Sequence, residues 1–383
     1  MKFSKRTSYI DISGIRKMFE LAKGEGVINL GLGEPNFPIP EESKKAIVDA
    51  LKEDFTHYTQ SNGFSELREG IAKKLEGNGI SASPEEIIVT SGASEALEIA
   101  LLTLLDEGDE VLLPDPGFVS YAPLTRIAGS VPVPYNVREE EDFEINALAI
   151  EERITPKTKV IIINSPGNPT GAVSRGKEVK EIARIAEKHG IPIISDEVYD
   201  EIIYEGEHHS IARHTDLAVT VNGFSKSYAM TGLRLGYVHA KEEVIEEMLK
   251  VHQYVQASAC SLSQAAALAA LGASSDFTKD LVSALKKRRD LIVSLLNEIE
   301  GVSCKKPKGA FYAFPNFSAY GASSTLAINI LKEAEVVVTP GTAFGRNGEG
   351  YLRFSYATSE ENISEGIERI ADYLKVCLSR ART

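Results

Sequence analysis

No apolar stretch in these 383 residues approaches the length of a membrane span, and the opening Met1-Lys2-Phe3-Ser4-Lys5-Arg6 has no apolar run behind it. Neither a membrane anchor nor a secretory leader is expected. Basic charge is also scarce. The chain carries 42 Lys and Arg against 55 Asp and Glu, a formal net charge of −13, which argues against nucleic acid or an anionic membrane as partner. Three scattered cysteines, Cys260, Cys304 and Cys377, have no metal-ligand spacing; a reducing, cytoplasmic compartment fits them best. His208 and His209 are adjacent in the polar loop Glu205-Gly206-Glu207-His208-His209 and read as surface residues rather than metal ligands. Glutamine is rare beside many Glu and Lys, a hint of a heat-adapted source. A strand-Gly-x-Gly-x-x-Gly-helix fingerprint is missing too, since Gly31-Leu32-Gly33 runs into Glu34-Pro35, and this sets a nicotinamide enzyme aside. No internal repeat or low-complexity segment is visible.

What the chain does contain is enough apolar residue, 43%, for two domains at this length. From about residue 85, short β-rich runs alternate with helical stretches. The runs are Glu86–Thr90, Glu110–Leu113, Val131–Tyr135, Lys159–Ile163, Ile191–Ser195, Leu217–Val221 and Leu235–His239. Amphipathic segments such as Glu95–Leu105 and Glu178–His189 lie between them. Apolar strands separated by helices predict an α/β fold with a mostly parallel sheet covered on both faces. After about residue 275 the texture changes to a long charged helix (Phe277 to Glu300), shorter strands and a final helix, Glu360 to Leu378. The expected division is a large domain over 44–278, and a smaller α+β domain formed by 1–43 with 279–383.

Ligands in such sheets collect at the carboxyl ends of strands, and the run Asn222-Gly223-Phe224-Ser225-Lys226-Ser227 sits between two of them. A lysine held between buried strands is costly unless it is paired or neutralised. A Schiff base with an aldehyde would neutralise it. Arg234, eight residues on, and the nearby hydroxyls would serve an anion arriving with that aldehyde. Pyridoxal phosphate has both parts. A surface loop with a solvated lysine is the competing reading of this run by itself.

Four further strand ends carry chemistry. Ser91-Gly92-Ala93-Ser94 precedes a helix whose free amides suit an anion, although Ser91 or Ser94 would equally serve as an N-cap. Asp196 ends an apolar strand and needs a cation to stay charged; a protonated pyridine nitrogen would supply one. A helix N-cap is the alternative there. Tyr199 follows at hydrogen-bonding reach of a ring substituent, or as a core tyrosine. In Asn164-Ser165-Pro166-Gly167-Asn168-Pro169, a rigid turn would let Asn168 donate inward. Phe118 would cover a heterocycle or fill a core. Arg353, alternating with apolar residues in Tyr351-Leu352-Arg353-Phe354, suits bidentate capture of a carboxylate, or an internal ion pair.

In order, SGASEAL, PDPGFVSY, NSPGNPTG, SDEVYD, NGFSKSYAMTGLRLGY and YLRFSYA resemble the class I aminotransferases of pyridoxal-phosphate fold type I, in the aspartate and aromatic branches. The resemblance runs from about Gly31 to Ala357 and includes Gly33-Glu34-Pro35 and His57-Tyr58. It implies pyridoxal 5′-phosphate carried on Lys226 as a Schiff base, with Lys226 also moving the proton at the substrate α-carbon. It implies Asp196 on the pyridine nitrogen, Asn168 and Tyr199 on the ring oxygen, and Phe118 stacked on the ring, where many relatives carry tryptophan. Gly92, Ala93, Ser94, Ser225 and Arg234 would hold the phosphate. Tyr58 would reach that phosphate from a neighbouring subunit, which requires a homodimer. Arg353, helped by Gly33 and Asn168, would take the substrate carboxylate. Two positions depart from the family pattern. Gly223 replaces a frequent phosphate-binding serine, a role that Ser225 would then take over, and Leu233 replaces a frequent tryptophan.

The expected reaction moves an amino group from an amino acid to a 2-oxo acid, with aspartate and 2-oxoglutarate first in line. Arg16 is the candidate for a second carboxylate, with a surface or domain-docking role as its alternative. Aromatic donors would instead use Phe37 or Tyr254. A C–S β-lyase needs the same residue set and stays open at this point. A cofactor-sensing module fused to a DNA-binding domain would need a basic helix-turn-helix region, for which the first forty residues leave no room.

Overall fold

The structure, a computed structural model, describes residues 1, 3–10, 12, 14, 18, 20, 26–273 and 276–381. Its main strands are short and apolar, as continuous Val and Ile runs dictate when both faces of a sheet are covered. After the two-residue strand β1 (Ile28–Asn29) come helices α1 (Glu41–Lys52) and α2 (Ser65–Gly77), then β2 (Ile87–Thr90) and α3 (Ala93–Leu104). β3 (Glu110–Asp115), β4 (Val131–Asn136) and β5 (Thr158–Asn164) follow, with α4 (Gly176–His189) leading to β6 (Ile193–Asp196) and β7 (Ala218–Gly223). β8 (Gly236–His239) then precedes α5 (Glu242–Val255) and α6 (Ser261–Gly272). α4 shows the local logic: it buries Val179, Ile182, Ala183, Ile185 and Ala186 at helical spacing and stops at Gly190, whose φ of 65° suits glycine.

The strands β2 to β8 form one seven-stranded sheet in the order β2-β8-β7-β6-β5-β3-β4. Only β8 runs against its neighbours, pairing antiparallel with both β2 and β7. Separate apolar clusters cover the two faces: Leu112, Ile161 and Ile193 pack with α4, whereas Val111, Val160 and Ile194 pack with α3 and α5. The mostly parallel sheet between helices is the fold type I architecture that the sequence predicts. Element ends differ from the expectation by a few residues. β6 starts at Ile193 rather than Ile191, and β7 extends to Gly223.

The C-terminal elements are α7 (Asp276–Asn297), β9 (Tyr312–Ala313), α8 (Ser323–Ala334), β10 (Val336–Val337), β11 (Thr339–Pro340), β12 (Leu352–Ser355) and α9 (Glu360–Ala381). β11, β12 and β9 make a three-stranded antiparallel sheet, and β10 pairs parallel with β1. Met18, Ile28 and Leu30 share one apolar cluster with residues of α7, β12 and α9. The chain near Gly31 is thereby brought to the carboxyl edge of the large sheet. One sequence expectation is corrected here. His208 is not a surface residue: its side chain is 7% exposed and its Nε2 lies 2.8 Å from Glu197 Oε2. Glu197 Oε1 accepts from the hydroxyls of Ser195 and Ser210, both buried, so a polar pattern in the sequence conceals a covered cluster.

Candidate active site

The carboxyl ends of β5, β6 and β7 and the turn after β2 open into one cavity of about 230 Å³. β8 contributes from its amino end, because its reversed direction points Arg234 at the same edge. The C-terminal sheet closes the opposite wall with Tyr312 and Arg353, and the loop after β1 adds Gly33.

Lys226 donates to the Gly33 carbonyl at 2.7 Å. Burial, with Arg353 and Arg234 close by, holds its ammonium down to about 8 despite the opposing pull of Glu34 and Asp196. A part-buried amine held down in this way is available as a nucleophile and as a base near neutral pH. Asp196 is 4% exposed, and burial pushes its carboxyl up to about 6, against hydrogen bonds from Tyr121 and the Val198 amide. The Tyr121 hydroxyl lies 2.6 Å from Asp196 Oδ2. Burial and that carboxylate keep the phenol protonated, so it is the donor.

Asn168 is fixed from two directions. Its N–H donates to Asn164 Oδ1 at 2.8 Å, and its Oδ1 accepts from Arg353 Nη1 at 3.0 Å. With the oxygen occupied, the amide NH2 is what the side chain has left to offer the cavity. Arg353 is 1% exposed, donates Nη2 to the Gly31 carbonyl at 2.5 Å, and lies 4.4 Å from the Tyr312 ring centroid. Its Nε is buried without a partner. Among the described residues no carboxylate pairs with it, which removes the internal ion pair as its explanation. Burial lowers its pKa, with only the Tyr312 and Tyr199 hydroxyls opposing; a guanidinium nevertheless keeps its charge. A buried cation with a free donor fits an incoming carboxylate.

Ala93 and Ser94 line the cavity at the start of α3. The helix bonds begin only with Glu95 and Ala96, which donate to Gly92 O, so the amides just before them are the ones a helix leaves for an anion. Gly92 stands behind the lining with φ 83°, and a Cβ on it would fall 2.6 Å from Arg234 Nη2. Glycine is what allows the arginine to approach this turn. Ser225 and Phe118 are also in the lining, the latter edge-on to Tyr121 with centroids 5.5 Å apart. At Gly223 a Cβ would sit 3.0 Å from Leu235 O, a tight fit for the serine frequent there in relatives.

Not every candidate converges. Tyr58 is 90% exposed and lies outside the cavity. Tyr254 is 88% exposed and also outside it, and Phe37 packs 4.7 Å under Arg288. Arg16 lies outside the described residues. Conversely, Tyr121, Asn164 and Tyr312 have no role in the sequence reading and yet line or brace the site. Tyr312 bonds the Tyr199 hydroxyl at 2.9 Å and, by its ring, supports Arg353; a contact across 113 positions leaves no local signal.

The sequence profile of the aminotransferase class I and II family matches residues 25–370. A probable aspartate aminotransferase of Methanocaldococcus jannaschii is 46% identical over 95% of this chain and 97% of its own. Aromatic-amino-acid aminotransferase 2 of Thermococcus litoralis is 43% identical over 98% and 99%. Among solved structures, aspartate aminotransferase from Thermus thermophilus with maleate superposes with a TM-score of 0.93 at 37% identity, covering 97% of this chain and 99% of that one.

Proposed function

The chain belongs to the class I and II aminotransferase family, and from that premise we propose that it transfers the amino group of aspartate to a 2-oxo acid such as 2-oxoglutarate, using pyridoxal 5′-phosphate held by Lys226. One observation carries this reading: two cations, the part-buried Lys226 and the buried Arg353, face a single cavity without a carboxylate partner among the described residues. One suits an aldehyde and the other a substrate carboxylate. When bound, the cofactor supplies an electrophilic carbonyl and a ring that accepts the electron pair released at the substrate α-carbon.

The chain's residues would divide the work as follows. Asp196, fixed by Tyr121, would hold a proton on the ring nitrogen; burial raises its pKa, and a cation beside it would offset that cost. Asn168 and Tyr199 would donate to the ring oxygen, and Phe118 would cover one face. Gly92, Ala93, Ser94, Ser225 and Arg234 would hold the phosphate. Arg353, with Asn168 and Gly33 beside it, would fix the substrate's α-carboxylate so that its α-hydrogen faces the Lys226 amine, which removes and returns the proton.

The same reading makes the active unit a homodimer in which Tyr58 reaches the partner's phosphate site. Exposed Phe55, Tyr58, Tyr254 and Val255 support an interface there. It also keeps the large domain at 44–278 and the small one at 1–43 with 279–383. Among the described residues no helix is long and apolar enough to cross a membrane, and the reading places the enzyme in the cytoplasm.

A dicarboxylic donor is supported by the names of the relatives and by the maleate of the Thermus structure. An aromatic donor is the second reading, favoured by one observation: of the cations in the described lining, Lys226, Arg234 and Arg353 all have roles already. Borohydride reduction and peptide mapping should place a pyridoxyl group on Lys226; a label on another lysine overturns the assignment. Stopped-flow half-reactions should then rank aspartate above phenylalanine. A tenfold preference for phenylalanine, about 1.4 kcal/mol in transition-state binding, replaces the first reading by the second.

A further inference from the structure

Behind the Ser91–Ser94 turn lies a carboxylate that the reaction does not use. Glu95 is 7% exposed, and its Oε2 accepts the Ser91 N–H at 2.5 Å. This bond ties down the turn ahead of α3. A buried carboxylate in the first turn of that helix also opposes any anion bound at the helix start, unless its charge is cancelled.

His252 on α5 is placed to cancel it. The ring is fully buried, and its Nδ1 lies 2.7 Å from Glu95 Oε1. Its Nε2 lies 2.8 Å from the Ser61 carbonyl oxygen. A carbonyl only accepts, so Nε2 carries a hydrogen. Nδ1 and Glu95 then share one more proton, as imidazolium with carboxylate or as imidazole with carboxylic acid. Both forms are neutral as a pair. The same ring fixes Ser61, three residues beyond Tyr58, and buried Gln264 on α6 steadies that segment by donating to Thr59 Oγ1 at 3.0 Å.

We propose that Glu95 and His252 are positioning residues for the cofactor phosphate, a neutral buried pair that braces its turn without repelling it. The proposal rests on the reading of that turn as the phosphate site. In it, His252 matters for charge as well as for packing. Removing His252 alone leaves a carboxylate behind the phosphate, whereas neutralising both partners restores the balance.

The test is an equilibrium titration of the full-length, cofactor-free protein with pyridoxal 5′-phosphate and, separately, with pyridoxal. The ratio of the two dissociation constants reports the phosphate's contribution. In H252Q this ratio should fall about tenfold, with pyridoxal affinity nearly unchanged. In E95Q/H252Q it should return to within about threefold of wild type. Equal loss of both ligands in H252Q, an unchanged ratio, or no recovery in the double variant overturns the proposal. Should H252Q not fold, E95Q/H252Q decides alone: a wild-type ratio supports the neutral pair and a tenfold lower one overturns it. A wild-type protein that does not prefer the phosphorylated ligand overturns the phosphate-site reading instead.

Discussion

The cavity around Lys226 and the cluster around Lys74 each hold a part-buried lysine, but only the second sets a carboxylate in contact with it. Lys74, on α2, is bonded to Asp200, with Glu201 at 3.6 Å and Asn78 donating to Asp200 at 3.0 Å. Burial pulls the Lys74 pKa down, yet Asp200, with Tyr237, Glu201 and Tyr228, outweighs it and leaves the ammonium well above its ordinary value. Lys226 has a carbonyl and two neighbouring arginines, and its pKa falls to about 8. The arginines repeat the contrast. Arg289 pairs with Glu205 at 2.9 Å and Asp290 at 2.8 Å, whereas Arg353 pairs with no described carboxylate. A buried cation that folding has paired belongs to the structure. One left unpaired at a strand end is poised for a ligand.

Three measurements would break or sharpen this contrast. The largest effect should come from Lys74→Met, which strands Asp200 and Glu201. Unfolding free energy should drop by about 3–5 kcal/mol, while the half-reaction rate per folded molecule stays at wild type. Unchanged denaturant stability would show that the Lys74 cluster is not structural.

Next is Arg353→Leu. Catalytic efficiency should fall by about 2–4 kcal/mol, some 30- to 1000-fold, with unfolding free energy within about 1 kcal/mol of wild type. A loss of stability as large as that of Lys74→Met would put both cations in the same class.

The smallest effect concerns pH. In the cofactor-free protein the folded-state pKa of Lys226 is about 8 against the ordinary 10.5. The unfolded chain therefore holds the proton more tightly. The cost of burying the charge is fully present below 8 and disappears as pH rises from 8 to 10.5, so this group makes stability increase with pH across that window. Lys226→Met should remove that slope and raise stability by about 1–2 kcal/mol at neutral pH. A slope that persists in the variant would assign it to another group.

Much of the fold is written locally. The runs at Thr158–Asn164 and Ala218–Gly223 are apolar and β-branched, the helix over Gly176–His189 repeats its buried positions every three or four residues, and these signals need no distant partner. The six motifs are legible for the same reason, since each lies within one short stretch of chain. Tyr121 and Tyr312 were not legible, because a phenol acquires its role from the group it meets. His208 reads as a surface residue because its sequence neighbours are polar, and only folding gathers it into a covered cluster around Glu197.

The sequence by itself determined the alternation of strands and helices and the edge of the sheet where ligands collect, and through its spaced motifs the family and the lysine for which a reactive role is proposed. Only the tertiary structure decided which buried charges are paired. Pairing depends on distances between segments far apart in the chain, from Lys74 to Asp200, Glu95 to His252 and Gly33 to Lys226. The free energy of a charge is set by what surrounds it in space after water has been excluded. No run of neighbouring residues specifies that environment.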